Sequence, residues 1–259
     1  MPALWQIRFA DDAPSGVSIM RVVAMMAIYN EASRYLRRVL KHLFTLVDQV
    51  IVLDDCSTDE GPEICREFSK IHVFRPFNHR TEYQESDRWA RLFQETAKWQ
   101  PDWILATAAD QILDTSPKDF HILLSKEDIS CYCFSVYDMW TETHYREDEY
   151  WKSHKMCFAR LMRFDPNRQY SYLEKSLHSQ ILPLQIGPCV RSDIRIKHLG
   201  FIRPEDRIER YRRNKEWPSK EFVWSDRSLR FREQIESMLD PEPNLVLYSE
   251  KRRLSNGLS

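Results

Sequence analysis

The sequence predicts an α/β fold in which a mostly parallel sheet is covered by helices on both faces. Two observations carry this. Apolar runs of strand length alternate with segments whose apolar residues recur at helical spacing. Several runs also end abruptly in acidic or cap-forming residues, as buried parallel strands do where they emerge at a ligand-binding edge. The clearest case is Val50 to Glu60, a β-branched run that stops at Asp54-Asp55 and continues into Cys56-Ser57-Thr58-Asp59.

Arg21 to Ile28 is an apolar run of strand length, and Asn30-Glu31-Ala32-Ser33 then supplies helix-starting chemistry. Leu36, Val39, Leu40, Leu43 and Leu46 mark one face of an amphipathic helix leading to a strand over Gln49 to Leu53, which completes a βαβ unit. Glu60 to Lys70 reads as a second helix and Ile71 to Arg75 as a third strand. Thr81 to Trp99, with Trp89, Leu92 and Phe93 on one side, is a third helix, and Asp102 to Thr107 a fourth strand. Right-handed crossovers then give a sheet covered on both faces.

The second half changes character. Ile129 to Asp138, Cys157 to Phe164 and Val190 to Lys197 read as strands, and Arg203 to Trp217 as a strongly charged helix. Met139 to His154 is charged and aromatic without a period, as a substrate loop would be. No repeat, low-complexity tract or Gly/Pro linker divides the chain. The expectation is one domain over 20–259, with a nucleotide-binding half (20–115), an acceptor half (116–259), and a loose extension over 1–19.

Composition excludes some functions. A chain of 259 residues, 42% of them hydrophobic, buries one large core. With 38 Lys and Arg against 39 Asp and Glu, it has no general field for gripping nucleic acid or an anionic membrane. No segment approaches the roughly 20 apolar residues of a transmembrane helix, and the N-terminus lacks signal-peptide character. Peripheral membrane association stays open. The six cysteines (Cys56, Cys65, Cys131, Cys133, Cys157, Cys189) contain no CxxC pair and several sit in apolar segments, as small buried residues of a cytoplasmic protein would.

Three strand ends supply the chemistry. Ala27-Ile28-Tyr29-Asn30-Glu31 closes the first strand and Asp54-Asp55 the second; carboxylates there either accept the N–H of a base or a ribose hydroxyl, or cap the following helix. The fourth strand runs into Ala108-Ala109-Asp110-Gln111, where an aspartate either ligates Mg²⁺ or Mn²⁺ against a diphosphate or bonds loop amides.

Together these three blocks, spanning Arg21 to Leu113, resemble glycosyltransferase family 2, whose fold is the nucleotide-sugar-binding GT-A fold. Weaker similarity continues through Arg160-Leu161-Met162-Arg163-Phe164, Leu177-His178 and Lys197-His198-Leu199-Gly200-Phe201. The resemblance implies a GT-A-like single domain and a nucleoside-diphosphate-sugar donor seated against Ala27, Tyr29, Glu31 and Asp54. Asp55, Arg88 and Ala108 flank that donor. It also implies Mn²⁺ or Mg²⁺ held by Asp110, with His198 resembling a histidine that completes the metal site in some GT-A enzymes. The family's acidic motif normally reads Asp-any-Asp, and Ala108 stands where its first carboxylate would be. That departure leaves two outcomes, a weakened metal site or a lost one.

An inverting transfer, general in the family, needs a carboxylate to take the acceptor hydroxyl's proton. Asp138, ending a predicted strand, is the first candidate and Asp148 the second, with Glu142 and Glu174 behind them. Ser179 follows His178 where the family commonly has Glu. Arg88 and Arg91, or Arg203, Arg207 and Arg210, either reach phosphates or lie in salt-bridged surfaces. Tyr137, Trp140, Tyr145, Tyr150 and Trp151 either stack on sugar rings or pack in the core. The acceptor, whether saccharide, lipid-linked or protein, is not written in these residues. Two functions follow: glycosyl transfer, or non-catalytic binding of a nucleotide or carbohydrate. A nucleotidyltransferase is disfavoured, because no glycine-rich phosphate loop follows the first strand.

Overall fold

A computed structural model describes residues 20–80, 85–173, 180–215 and 232–249. Its centre is β1 (Val22–Ile28), an apolar strand whose residues from Val22 to Met26 are wholly buried. A strand covered on both faces must read as a continuous apolar run, which is why this segment does not alternate. Parallel partners flank it: β2 (Gln49–Asp54) on one side and β4 (Trp103–Ala106) on the other, with β3 (Ile71–Phe74) pairing β2.

The sheet has eight strands in the order β3-β2-β1-β4-β8-β6-β9-β5. Its second half adds β5 (Gln111–Asp114), β6 (Cys131–Asp138), β8 (Phe158–Arg163) and β9 (Cys189–His198). Here β8 runs antiparallel to both β4 and β6, whereas β6 and β9 are parallel. The result is a mixed, mostly parallel sheet flanked by helices, the GT-A-like α/β fold that the sequence resemblance implied.

One face of the sheet packs against α1 (Leu36–Leu46), α2 (Gly61–Arg66) and α4 (Pro117–Leu124), the other against α3 (Glu85–Ala97). The helical spacing read from the sequence is the buried stripe of α1: Leu36, Val39, Leu40, Leu43 and Leu46. On α3 the buried residues include Trp89, Leu92 and Phe93.

Elsewhere the structure departs from expectation. The helix over Glu60 to Lys70 stops at Arg66, where Glu67 and Phe68 donate to carbonyls three residues back and tighten the last turn. Residues 107–128 hold two further elements, β5 and α4; Ser116 caps α4 by accepting from the Asp119 amide at 3.2 Å, with Pro117 at its first turn. The segment read as an aperiodic loop contains β7 (His144–Arg146), paired antiparallel with β10 (Leu245–Leu247). Strands of three residues are too short to show a period. The charged helix is α5 (Pro204–Lys215). The extension over 1–19, and Glu174, His178 and Ser179, lie outside the described residues.

The cysteine expectation also changes. Cys131 and Cys133 are buried, but they are paired: Cys131 with Cys189, joining adjacent strands β6 and β9, and Cys133 with Cys157, joining β6 to the start of β8. Cys56 and Cys65 are free. The bridges close segments with sequence separations of 58 and 24 residues, and the chain-entropy model assigns each about 3–4 kcal/mol. Thiol reduction is therefore expected to lower the Tm by roughly 10 °C. A melting curve indifferent to dithiothreitol would show that these cysteines are not crosslinked.

Candidate active site

The carboxyl ends of β1, β2 and β4 form one edge, and the loops leaving β1 and β2 are stitched together there. The Asn30 amide donates to Ser57 Oγ at 3.1 Å, the Thr58 amide to Asn30 Oδ1 at 2.8 Å, and the Ala32 amide to Asp59 Oδ2 at 2.8 Å. Asn30 and Cys56 hold positive φ (52° and 64°), a conformation that Asn tolerates better than most side chains. Both loops are thereby tied to each other at that edge.

Asp54, the last residue of β2, is buried and accepts from the Ser57 amide at 2.9 Å and from Arg75 Nε at 2.6 Å. It turns the loop and does not cap α2, whose first amide, that of Gly61, donates instead to Asp59 Oδ1 at 2.9 Å. Buried Asp55 accepts from Arg88 of α3 at 3.3 Å, so two residues expected to flank a donor lie in contact. Arg91 is exposed. Tyr29 presents its ring to the Arg80 guanidinium, 3.9 Å from the ring centroid, and Ala27 pairs with Leu53 in the sheet.

A second group forms where three strands end. Asp138 closes β6 and His198 closes β9, and the parallel register sets the two side by side. Asp110 lies in the turn between β4 and β5; its carbonyl accepts from the Leu199 amide at 2.7 Å. The side chains complete a chain: His198 Nδ1 lies 2.7 Å from Asp138 Oδ1 and His198 Nε2 lies 3.1 Å from Asp110 Oδ2. Arg210 of α5 donates to the same Asp110 oxygen at 3.2 Å, and Ser153 donates to Asp138 Oδ2.

Burial opposes charge on both Asp110 and His198, but the partners win. Desolvation pushes Asp110 up, whereas His198, Arg210 and Arg34 together hold it well below the usual carboxylate range. Desolvation likewise pulls His198 down, and Asp110 and Asp138 raise it to about 9, so both ring nitrogens donate at neutral pH. A Cβ on Gly200 would fall against Asp110 Oδ2 and Arg210, so only glycine leaves this space open.

Glu31 faces the same space. Its Oε1 pairs with Arg34 at 3.3 Å, and its buried Oε2 has no partner. Desolvation raises its pKa to about 7; Asp110 and Asp206 add to the rise, while Arg34 and Arg210 oppose it. Desolvation first, then Arg210, Arg80 and Arg34, push Arg213 down to about 10. These cations converge on the edge.

Of the other sequence candidates, Arg203 donates to the Ser33 carbonyl and pairs with Asp206, and Arg207 donates to the Phe201 and Ile202 carbonyls. Only Arg210 of that trio reaches Asp110. Asp148 is not at the edge group: it accepts from Arg146 Nε at 2.6 Å and from the Tyr150 and Trp151 amides. Glu142 is exposed and pairs with Arg38. Trp140 and Trp151 pack with Phe201 in a buried cluster, and Tyr137 packs edge-on against Tyr145 and Tyr248. Arg34, Ser153 and the Asp138–His198 link were missed. Arg34 alone left a signal, three residues after Glu31.

Sheet order and flanking helices define the class: an α/β domain of the GT-A type. Residues 24–84 match the model of glycosyl transferase family 2. Among solved structures, TarS of S. aureus superposes with a TM-score of 0.53 at 16% identity, over 74% of this chain and 38% of that one. The mannosyltransferase PcManGT from Pyrobaculum calidifontis, in complex with GDP-Man and Mn²⁺, gives a TM-score of 0.37 at 17% identity, over 50% of this chain and 38% of that one. Glucosyl-3-phosphoglycerate synthase from Mycobacterium tuberculosis, in complex with Mn²⁺, UDP and glucosyl-3-phosphoglycerate, gives 0.31 at 18%, over 48% and 45%. The chain thus spans less than half the length of each of these structures. No curated protein sequence matches it.

Among the described residues, no group of three or more His, Cys, Asp or Glu side chains converges as an all-protein cage would. Asp110 and His198, the latter on release of its Nε2 proton to the solvent, nevertheless fit a cation that takes its remaining oxygens from phosphate and water. Asp138 behind His198 orients the ring as a carboxylate partner does in metal sites, and Gly200 keeps the space clear.

Glu31 makes ligand-free stability depend on pH. Its folded pKa lies above the ordinary 4.5, so the folded state binds the extra proton and stability falls as pH rises from 4.5 to about 7. Relative to Glu31→Gln, the wild type is expected to lose up to about 3 kcal/mol over that window. Urea denaturation at several pH values checks it. A wild-type minus variant difference that is flat or of opposite slope refutes the assignment.

Proposed function

We propose that this domain transfers a sugar from a nucleoside-diphosphate donor to an acceptor hydroxyl, with inversion and with a divalent cation. The observation that carries the reading is the convergence of Glu31, Asp54, Asp55, Asp110 and His198 with Arg34, Arg80, Arg210 and Arg213 at one strand edge. Carboxylates there suit base and ribose donors; guanidinium groups suit diphosphate oxygens. Glu31 Oε2, buried and unpartnered, is free to accept from a donor hydroxyl. Tyr29 and Ala27 line the same wall, and Ala108 leaves space where the family has a carboxylate.

Asp110 and His198 would hold Mn²⁺ or Mg²⁺, which supplies neutralisation of the departing diphosphate when bound. Arg210 and Arg213 act on the same charge from α5, offsetting part of what the carboxylate missing at Ala108 would have contributed through the metal. Asp138 has both oxygens engaged, so we assign it the positioning of His198 rather than the proton-accepting role expected from the sequence. Asp148 holds Arg146. The two disulfides favour an oxidising compartment over the expected cytoplasm; among the described residues, no helix is long and apolar enough to cross a membrane.

Calorimetry with UDP, GDP and dTDP, each with and without Mn²⁺, tests the reading. One nucleotide is expected to bind in a metal-dependent manner, at least about tenfold more weakly in Asp110→Ala. Failure of all three with metal present sinks the donor site. Binding without donor-sugar hydrolysis, and without transfer to a broad acceptor panel, favours the non-catalytic alternative.

Asp138→Asn is expected to weaken Mn²⁺ binding by about 10–100-fold while leaving nucleotide binding without metal unchanged. Manganese electron paramagnetic resonance reads the first quantity directly. Unaltered Mn²⁺ affinity with abolished turnover would return Asp138 to the base role.

A further inference from the structure

Arg160 is a cation the mechanism above does not use. It is the extra residue of a β-bulge: along β6, Tyr132 pairs with Leu161 and Cys133 with Ala159, which leaves Arg160 without a cross-strand partner. Bulges of this kind re-aim side chains beside active sites. On its other side β8 pairs with β4 as far as Leu105 with Leu161, so Arg160 follows level with Ala106, where β4 runs into Thr107-Ala108. The Cys133–Cys157 bridge ties together the strands on either side of the bulge.

Its polar atoms are poorly matched. Among the described residues its one side-chain hydrogen bond runs from a terminal guanidinium nitrogen to the carbonyl of its own neighbour Ala159, at 3.3 Å. Its Nε is shut off from solvent without a partner, and no carboxylate among the described residues pairs with it. Desolvation alone pulls its pKa down to about 10. Thr107, wholly buried and next in sequence to Ala106, also has an Oγ1 without a partner. A guanidinium kept in this state costs stability unless an anion joins it. The residue is partly exposed, so an anion has a path to it.

We propose that Arg160 is the core of a second anion-binding position, distinct from the diphosphate position at Asp110, that receives a phosphate or carboxylate group carried by the acceptor or by the donor sugar. The distinction is electrostatic. Asp110 bonds His198 and Arg210, whereas Arg160 bonds the Ala159 carbonyl and pairs with no carboxylate among the described residues. The position rests on the transferase reading for its sources, but the binding itself is testable without it.

The experiment compares wild type, Arg160→Met and Arg160→Lys by thermal denaturation at constant ionic strength, with and without inorganic phosphate. Without phosphate, Arg160→Met is expected to melt at or above the wild type, because an unpaired buried charge has gone. At ten times the phosphate Kd the wild-type Tm should rise by about 3 °C more than that of Arg160→Met, with Arg160→Lys recovering part of the difference. Equal shifts in wild type and Arg160→Met, or Arg160→Met melting below the wild type without phosphate, overturn the proposal. Titrations with UDP-glucuronate and UDP-glucose separate the sources: a preference for the glucuronate that Arg160→Met abolishes places the anion on the donor sugar, and no preference beside an Arg160-dependent phosphate shift places it on the acceptor. Absence of all nucleotide binding would remove the transferase reading and leave the phosphate result standing.

Discussion

The chain of hydrogen bonds from Asp138 through His198 to Asp110 is the interaction on which the site depends. It joins the ends of β6 and β9 to the turn after β4, and Arg210 brings α5 onto the same carboxylate. These groups are held away from bulk water, and Asp110 and His198 support each other's charge there. Removing His198 would leave two carboxylates facing inward without their shared cation. The backbone reinforces the arrangement, with the Leu199 amide bonded to the Asp110 carbonyl and the Met139 amide to that of His198.

Around this chain the edge is crowded with arginines, although the net charge is close to zero over the whole sequence. Overall balance therefore conceals a local excess: Arg34, Arg80, Arg210 and Arg213 influence one another or the same carboxylates. A position of this kind suits a compact anion, not a long polyanion, which would need the excess spread along a face. Glu31, with its pKa near 7, tempers that excess and leaves one oxygen free. Arg160 stands apart on its bulge, and its isolation from the edge carboxylates separates a second anion position from the first.

Much of the first half was legible because its signals are local. A buried parallel strand must be apolar throughout, so β1 and β2 are visible as runs, and α1 displays its buried stripe at helical spacing. Asp54, Asp55 and Asp110 could be placed at one edge because strand order and direction follow from βαβ alternation. Their partners could not. Arg88 reaches Asp55 across 33 positions and His198 reaches Asp110 across 88, and nothing in the local pattern of either residue announces the other. Asp138 is a candidate because it ends an apolar, alternating run, and it does close β6. The bond to His198, which suits it to positioning, depends on the parallel register of β6 with β9.

The cysteines show the same division. Their apolar settings made them look like free buried thiols, and two of the paired residues are indeed buried, but strand register decides that Cys131 faces Cys189. The sequence by itself determined the layered α/β class, the central strands and the carboxylates at their ends, since these depend on hydrophobic period and strand polarity, which are properties of neighbouring residues. Tertiary structure alone decided which carboxylate meets which cation, that Asp148 is spent on Arg146, and that Arg160 has no counter-charge among the described residues. Those outcomes depend on distances between strands far apart in the chain, and such distances are set by the register of the sheet and the closing of α5 over its edge.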